Sequence, residues 1–203
     1  MISFLISAIK IIFLLGFLIG IHETGHFLIA KLCKVRVNEF AIGFGPVIWK
    51  KQGKETKYEL RLIPLGGFVN MEGEAEQSEK EGSFTKASIP RRIAIVAAGA
   101  VVNIIFAIIV YFILAMTIRG DLTNAVVGNR VLDADNFGNR LYFASYNTKE
   151  FMLSIVESVK QLFTGKVSSA ELVGPVGISE VVAKTNGFRE FIYILAAISI
   201  SLG

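Results

Sequence analysis

Residues 13–30 of this 203-residue chain read FLLGFLIGIHETGHFLIA, an apolar run interrupted only by HETGH at 22–26. Residues four apart share one face of a helix, so His22 and His26 can hold a metal ion between them. Glu23 lies one residue on, close enough to handle the proton of an activated water. These are the chain's only two histidines. Most HExxH matches in soluble sequences are surface helices without metal. That reading fails here, because two imidazoles and a carboxylate in hydrocarbon are costly and functional by default.

Outward from the motif, composition sets the class. Hydrophobic residues make up 53% of the chain, charged residues 19%, and mean hydropathy is +0.57, too apolar for an ordinary soluble domain. About 20 apolar residues cross the hydrocarbon core, so Ile11 to Ala30 suffices for one span, with Lys10 at an interface. The N-terminus has neither a charged leader nor a small-residue cleavage site, and is read as a retained span. Ile93 to Ile118 carries no charge and forms a second span. Its Ala97-Ala98-Gly99-Ala100 run permits close helix packing. Asn103 inside it has two open roles: an interhelical hydrogen bond, or contact with substrate backbone or a metal ligand. From Phe188 a third apolar helix begins. Cys33 is the single cysteine, so no internal disulfide forms, and it reads as a small buried hydrophobe.

The stretch from Lys31 to Arg92 holds 12 of the 21 Lys and Arg residues, against Lys10 alone before it. The positive-inside rule therefore makes it cytoplasmic and puts the N-terminus outside. Within it, Val35–Ile42 reads as a strand broken at Gly43-Phe44-Gly45-Pro46. Val47–Trp49 and Tyr58–Leu62 read as a hairpin, and Ile63–Val69 as an edge strand or re-entrant loop. Glu72–Glu81 reads as a solvated acidic loop. The expected organisation is a first transmembrane helix over 1–31 and a cytoplasmic-side loop with a membrane-associated β element over 32–92. A second transmembrane helix covers 93–118 and a short extracytoplasmic segment 119–150, too polar and short to bury a core. An amphipathic helix and Gly-Pro loop cover 151–187, and a third transmembrane helix starts over 188–203. Ser179–Lys184 reads as a short helix. The net charge of +4 is modest, and no nucleic-acid partner is expected.

Five pieces together resemble one family: HETGH at 22–26, EFAIGFGPVIWK at 39–50, YELRLIPLGGFVNMEGE at 58–74, GAVVN at 99–103 and LFTGKVSSAELVGPVGI at 162–178. They resemble the site-2 protease class of intramembrane zinc metalloproteases, in the bacterial branch that releases sigma factors by cutting membrane-bound anti-sigma proteins. The resemblance implies Zn2+ on His22 and His26, with Glu23 as catalytic base. It implies an α-helical polytopic membrane protein with a zinc-bearing transmembrane helix core and a small membrane-associated β hairpin or sheet. The substrate would be a single-span membrane protein in the bilayer of a bacterial inner (plasma) membrane. A substrate helix hides its peptide bonds, so an unwound segment would add to the β edge. Leu65, Gly66, Gly67, Phe68 and Asn103 are the candidate substrate contacts.

Three departures qualify the resemblance. Gly99-Ala100 stands where the family has Gly-Pro. The segment after Arg119 is too short for the usual PDZ domain, leaving a remnant at most. The family's third ligand is an aspartate in an Asn-Pro…Leu-Asp-Gly segment, and this chain stops at Ser199-Ile200-Ser201-Leu202-Gly203, where that segment would begin. The 203 residues by themselves are therefore expected to be inactive or nearly so. The rival classes are a non-catalytic membrane protein that binds a client without cutting it, and a zinc carrier. The carrier would want more polar groups in the spans than Asn103, Ser199 and Ser201.

Overall fold

Helix α1 runs from Ile2 to Leu32 and is apolar on all sides. At 31 residues it is about 46 Å long, enough to cross a bilayer. Its last turn shows why it stops where it does. Lys34 takes a left-handed conformation (φ 61°), the Lys34 amide donates to the Lys31 carbonyl at 3.0 Å, and the Val35 amide donates to the Ala30 carbonyl at 2.9 Å. This pair of bonds is a Schellman motif, which satisfies carbonyls that the helix leaves open. Its apolar partners, Ala30 and Val35, are both buried in the main core. The computed structural model describes residues 2–117, 125–127, 130–132, 136–164, 182, 185 and 187–201.

After α1 come β1 (Val37–Gln52) and β2 (Lys57–Met71). The sequence suggested a strand, a break and a separate hairpin. Instead β1 passes through Gly43-Phe44-Gly45-Pro46 and β2 through Pro64. The glycines make this passage possible. Gly43 (φ +92°) and Gly45 (φ +79°) are left-handed, and a Cβ on Gly43 would lie 2.9 Å from the carbonyl oxygens of Arg61 and Ile63. With both strands bent, Glu39–Ile42 is flanked on one side by Asn70–Gly67 and on the other by Lys57–Leu60. The outer edge of Gly67–Met71 has no strand partner among the described residues. The region expected as edge strand or re-entrant loop, Ile63–Val69, lies within β2.

A charge network ties the two strands together. Glu59 is buried and pairs with Lys57 and, at 2.7 Å, with Arg61, which also reaches Glu39 at 3.1 Å. The Arg61 guanidinium lies 5.0 Å from the centre of the Phe68 ring. Hydrogen bonds from Lys57 and then Arg61 outweigh burial and hold the Glu59 carboxyl at a pKa of about 2, below its ordinary 4.5. A carboxylate with a depressed folded pKa stabilises fully above its unfolded value, and the effect disappears as pH falls through the folded one. Thermal unfolding followed from pH 5 to pH 2 should therefore show a steep stability loss that Glu59→Gln flattens. An unchanged pH slope in the variant would remove Glu59 as its source.

Helix α2 spans Ile89–Met116, four residues ahead of the expected start at Ile93. Pro90 falls in the first turn, where a missing N–H leaves nothing unpaired, so the helix runs back through Arg91 and Arg92. α1 and α2 are the two helices long and apolar enough to cross a membrane among the described residues. Only 17% and 28% of their most apolar windows are buried, whereas the core helix of a soluble protein would be mostly covered. The main core gathers Ala30, Val35, Val37, Val69, Met71 and Ile95, with Phe27, Cys33, Phe40 and Phe84 packed against it.

The chain forms two compact units, Met1–Ile105 with Ile198–Gly203, and Phe106–Ala197. The second contains β3 (Ala125–Val127) paired antiparallel with β4 (Arg130–Leu132), then α3 (Phe137–Phe163). Here the sequence reading is corrected. The helix expected from Phe151 begins fourteen residues earlier, inside the segment judged too polar for a core. Its inner stripe uses Ala144 and Thr148, both buried, a helical spacing that the polar Asn147 and Thr148 disguise. Tyr111 stacks on Phe151 with ring centres 4.2 Å apart. Helix α4 covers Phe188–Ser201, as expected for the start of a third apolar helix. The Gly-Pro loop at 172–178 lies outside the described residues, as does the expected short helix at 179–184 apart from Val182.

Candidate active site

The motif HETGH sits on α1 at the level where α2 comes closest. A Cβ on Gly25 would lie 2.7 Å from the Ala98 carbonyl oxygen and 3.1 Å from the Gly99 Cα. Small residues on both helices therefore set the approach, as the Ala-Ala-Gly-Ala run suggested. At the crossing, a Cβ on Gly99 would stand 2.5 Å from the Nε2 of His22 and 2.5 Å from the Nε2 of His26. Both imidazoles thus pack their Nε2 edges against the backbone of Gly99, which leaves them room because it has no side chain. The rings lie 4.8 Å apart at 74° to each other.

Their other nitrogens are held as well. His26 Nδ1 is 2.7 Å from the Ile95 carbonyl oxygen. A carbonyl only accepts, so Nδ1 carries the proton and the Nε2 lone pair is left for a metal. His22 Nδ1 is 3.2 Å from the Asn103 side-chain nitrogen. Asn103 is fully buried, and its Oδ1 has no partner among the described residues. Turning that amide by half a rotation brings Oδ1 to His22 Nδ1, satisfies the orphan oxygen and frees His22 Nε2 in the same way. The Asn103 carbonyl is itself bonded by Ser199 Oγ at 2.9 Å, which ties α4 to this level of α2. The donor set fits zinc, which takes neutral imidazole nitrogens. Among the described residues no group of three His, Cys, Asp or Glu side chains is placed to hold a metal ion.

Beside the pair lies a cavity of about 310 Å³ lined by Glu23 and His26 from α1, Gly67, Phe68, Val69 and Met71 from β2, Ile95 and Val96 from α2, and Glu74. A Cβ on Gly67 would lie 3.0 Å from Glu23 Cγ, so this glycine lets the strand pass directly over the carboxylate. Of the sequence candidates, the structure brings together His22, Glu23, His26, Gly67, Phe68 and Asn103. Leu65 and Gly66 are not among the residues lining the cavity. Leu65 is exposed, and Gly66 instead makes room for the Phe44 ring. Two residues escaped the sequence reading. Gly99 was legible only as a packing residue, and Glu74, read as part of a solvated acidic loop and indeed exposed, also lines the cavity. Its position three residues past the strand end at Met71 was the available signal.

A family model described as peptidase family M50 matches residues 10–203. The regulator of sigma-E protease RseP of Escherichia coli is 44% identical over 118 residues, 56% of this chain and 26% of that protein. Protease RseP of Yersinia pestis is 32% identical over 203 residues, 94% of this chain and 44% of that protein. A Clostridium acetobutylicum protein, provisionally named a zinc metalloprotease, is 46% identical over 102 residues, 50% of this chain and 30% of that protein. The chain thus spans less than half the length of these relatives.

Proposed function

Since this chain belongs to peptidase family M50, we propose that it carries the catalytic half-site of an intramembrane zinc metalloprotease that hydrolyses peptide bonds of single-span membrane proteins. The observation that carries this reading is the pair His22 and His26, side by side on one helix with both Nδ1 atoms held by partners on α2, next to Glu23 in the adjoining cavity. His22 and His26 hold the zinc, and a further ligand completes the set. Bound there, zinc supplies Lewis acidity toward water and a peptide carbonyl. Ile95 and Asn103 fix the two ring orientations. Glu23 takes a proton from the attacking water on its carboxylate and returns it to the leaving amine.

The substrate segment is placed along the open outer edge of Gly67–Met71, which passes over Glu23. Strand addition there exposes peptide bonds that a helix would keep hydrogen-bonded to itself. Glycine at 67 lets Glu23 and the Ala41 carbonyl pack directly on this strand. The bend of the β element carries exposed Phe44, Val47, Ile48, Trp49, Leu62, Ile63 and Leu65, a surface suited to hydrocarbon and not to water. This supports a hairpin seated in the membrane beside α1 and α2. A relative named as a regulator of sigma-E supports a role in sigma-factor control, and with the family resemblance of the sequence the physiological substrate class is taken to be a membrane-bound anti-sigma protein, cut in the inner membrane of a bacterium by a multi-pass enzyme. α1, α2 and the helix from Phe188 serve as spans, and the basic segment 32–92 lies on the cytoplasmic side.

The test is a reconstituted membrane protein carrying this chain, mixed with a single-span substrate. Cleavage should stop on chelation and return with zinc. Cleavage that persists after the metal is removed would overturn the zinc reading.

A further inference from the structure

We propose that Glu74 is a substrate-specificity residue: it binds a lysine or arginine side chain of the extended segment lying over Glu23 and His26. This deepens the protease reading above and rests on it. The starting observation is charge balance. Glu39, Glu55, Glu59, Glu72 and Glu79 all pair with lysine or arginine. Glu23 and Glu74 form no such pair among the described residues and, unlike the equally unpaired Glu76 and Glu81, both line one cavity. Apart from His26, the other walls are glycine or apolar, and low-dielectric walls focus a field of one sign toward an incoming ligand. A cation is the ligand that such a mouth attracts.

Position narrows the class. The chain turns back after β2, with the Glu74 amide donating to the Met71 carbonyl at 3.3 Å. Glu74 Oε2 comes to 3.4 Å from the Met71 amide, so the carboxylate stands at the end of the open strand edge. Gly67, at the other end, passes over Glu23. The distance along the strand between them is about 13 Å, or about four residues of an added strand. A basic side chain about four residues from the scissile bond would therefore reach Glu74 while the bond lies over Glu23. The geometry favours a peptide cation over a lipid amine, because Glu74 shares its cavity with the reacting groups.

The experiment measures binding, so it is independent of turnover. Single-span peptides carry one lysine scanned through five positions on each side of the centre, in a neutral background. Their affinity is measured by fluorescence anisotropy for the chain and its variants in phosphatidylcholine nanodiscs, with and without zinc. One lysine position should tighten binding about fivefold over alanine, the size of a partly exposed ion pair. Glu74→Gln should erase that preference, and Glu74→Lys should reverse it toward glutamate at the same position. Bound zinc should be the same in all three proteins. A preference that survives Glu74→Lys, the lack of any lysine preference, or a loss of zinc from Glu74→Gln would each overturn the proposal. So would loss of the preference when phosphatidylethanolamine replaces phosphatidylcholine, since the lipid amine would then hold the site. If lysine peptides bind this chain through Glu74 but a longer membrane protein that carries it with a complete ligand set never cuts them, the protease reading fails and the cation site stands.

Discussion

Gly99→Ala should abolish metal binding at His22 and His26 while leaving the protein in the membrane. The added methyl would stand 2.5 Å from both Nε2 atoms and 2.6 Å from His22 Cδ2, inside van der Waals contact with all three. Neither ring can simply swing aside, because His26 is tied to the Ile95 carbonyl and His22 is held against Asn103. Nor can the helices part cheaply, since Gly25 lies directly on the backbone of Ala98 and Gly99. Loss of an outer hydrogen-bond partner costs a metal site about 10- to 100-fold in affinity, and displacing both ligating rings at once should exceed that. The measurement is zinc per protein by elemental analysis, with cobalt absorption as a second probe. Ala97→Val, at an exposed position on the same helix, is the control and should retain metal. Undiminished zinc in Gly99→Ala would mean that the histidines bind metal in some other arrangement, or not as a pair.

How much of this site could be read from the chain depends on sequence separation. The two apolar helices were legible because hydropathy over twenty residues is a local property, and HETGH because i, i+4 spacing on a helix is local too. The bond from His26 to Ile95 spans 69 residues and that from His22 to Asn103 spans 81. No periodicity carries such information. Gly99 therefore looked like one member of a small-residue run, and only the fold distinguishes it from Ala97 and Ala98 as the residue facing both imidazoles. Glu74 was hidden differently. It belongs to the run EGEAEQSEKE and is exposed like Glu76 and Glu81, so neither composition nor exposure marks it; what does is its place at the cavity beside Glu23. The early start of α3 was missed because Asn147 and Thr148 occupy places where a periodicity count expects apolar groups. The continuous β1 was missed because Gly43 and Pro46 usually end a strand, whereas here they bend one.

Glu23→Gln should eliminate peptide cleavage while zinc content and client binding stay at the level of the unsubstituted protein. Glutamine keeps the size and shape of glutamate, so the close passage of Gly67 over the Glu23 side chain, 3.0 Å from Cγ to the position of a Cβ, is preserved. The histidines and their partners on Ile95 and Asn103 are untouched. What changes is proton chemistry: an amide cannot take a proton from water or deliver one to the leaving amine. Removing a positioned general base typically costs about 100- to 10,000-fold. The cavity holds one other carboxylate, Glu74, and that makes the outcome informative. If Glu23→Gln still cleaves and a further Glu74→Gln change stops it, the base has been misassigned and Glu74 is catalytic. If biological output is unaffected although no peptide bond is cut, the chain acts by holding its client, and the protease reading falls. Loss of cleavage with zinc and client both retained separates chemistry from binding at a single atom pair, the two oxygens of Glu23.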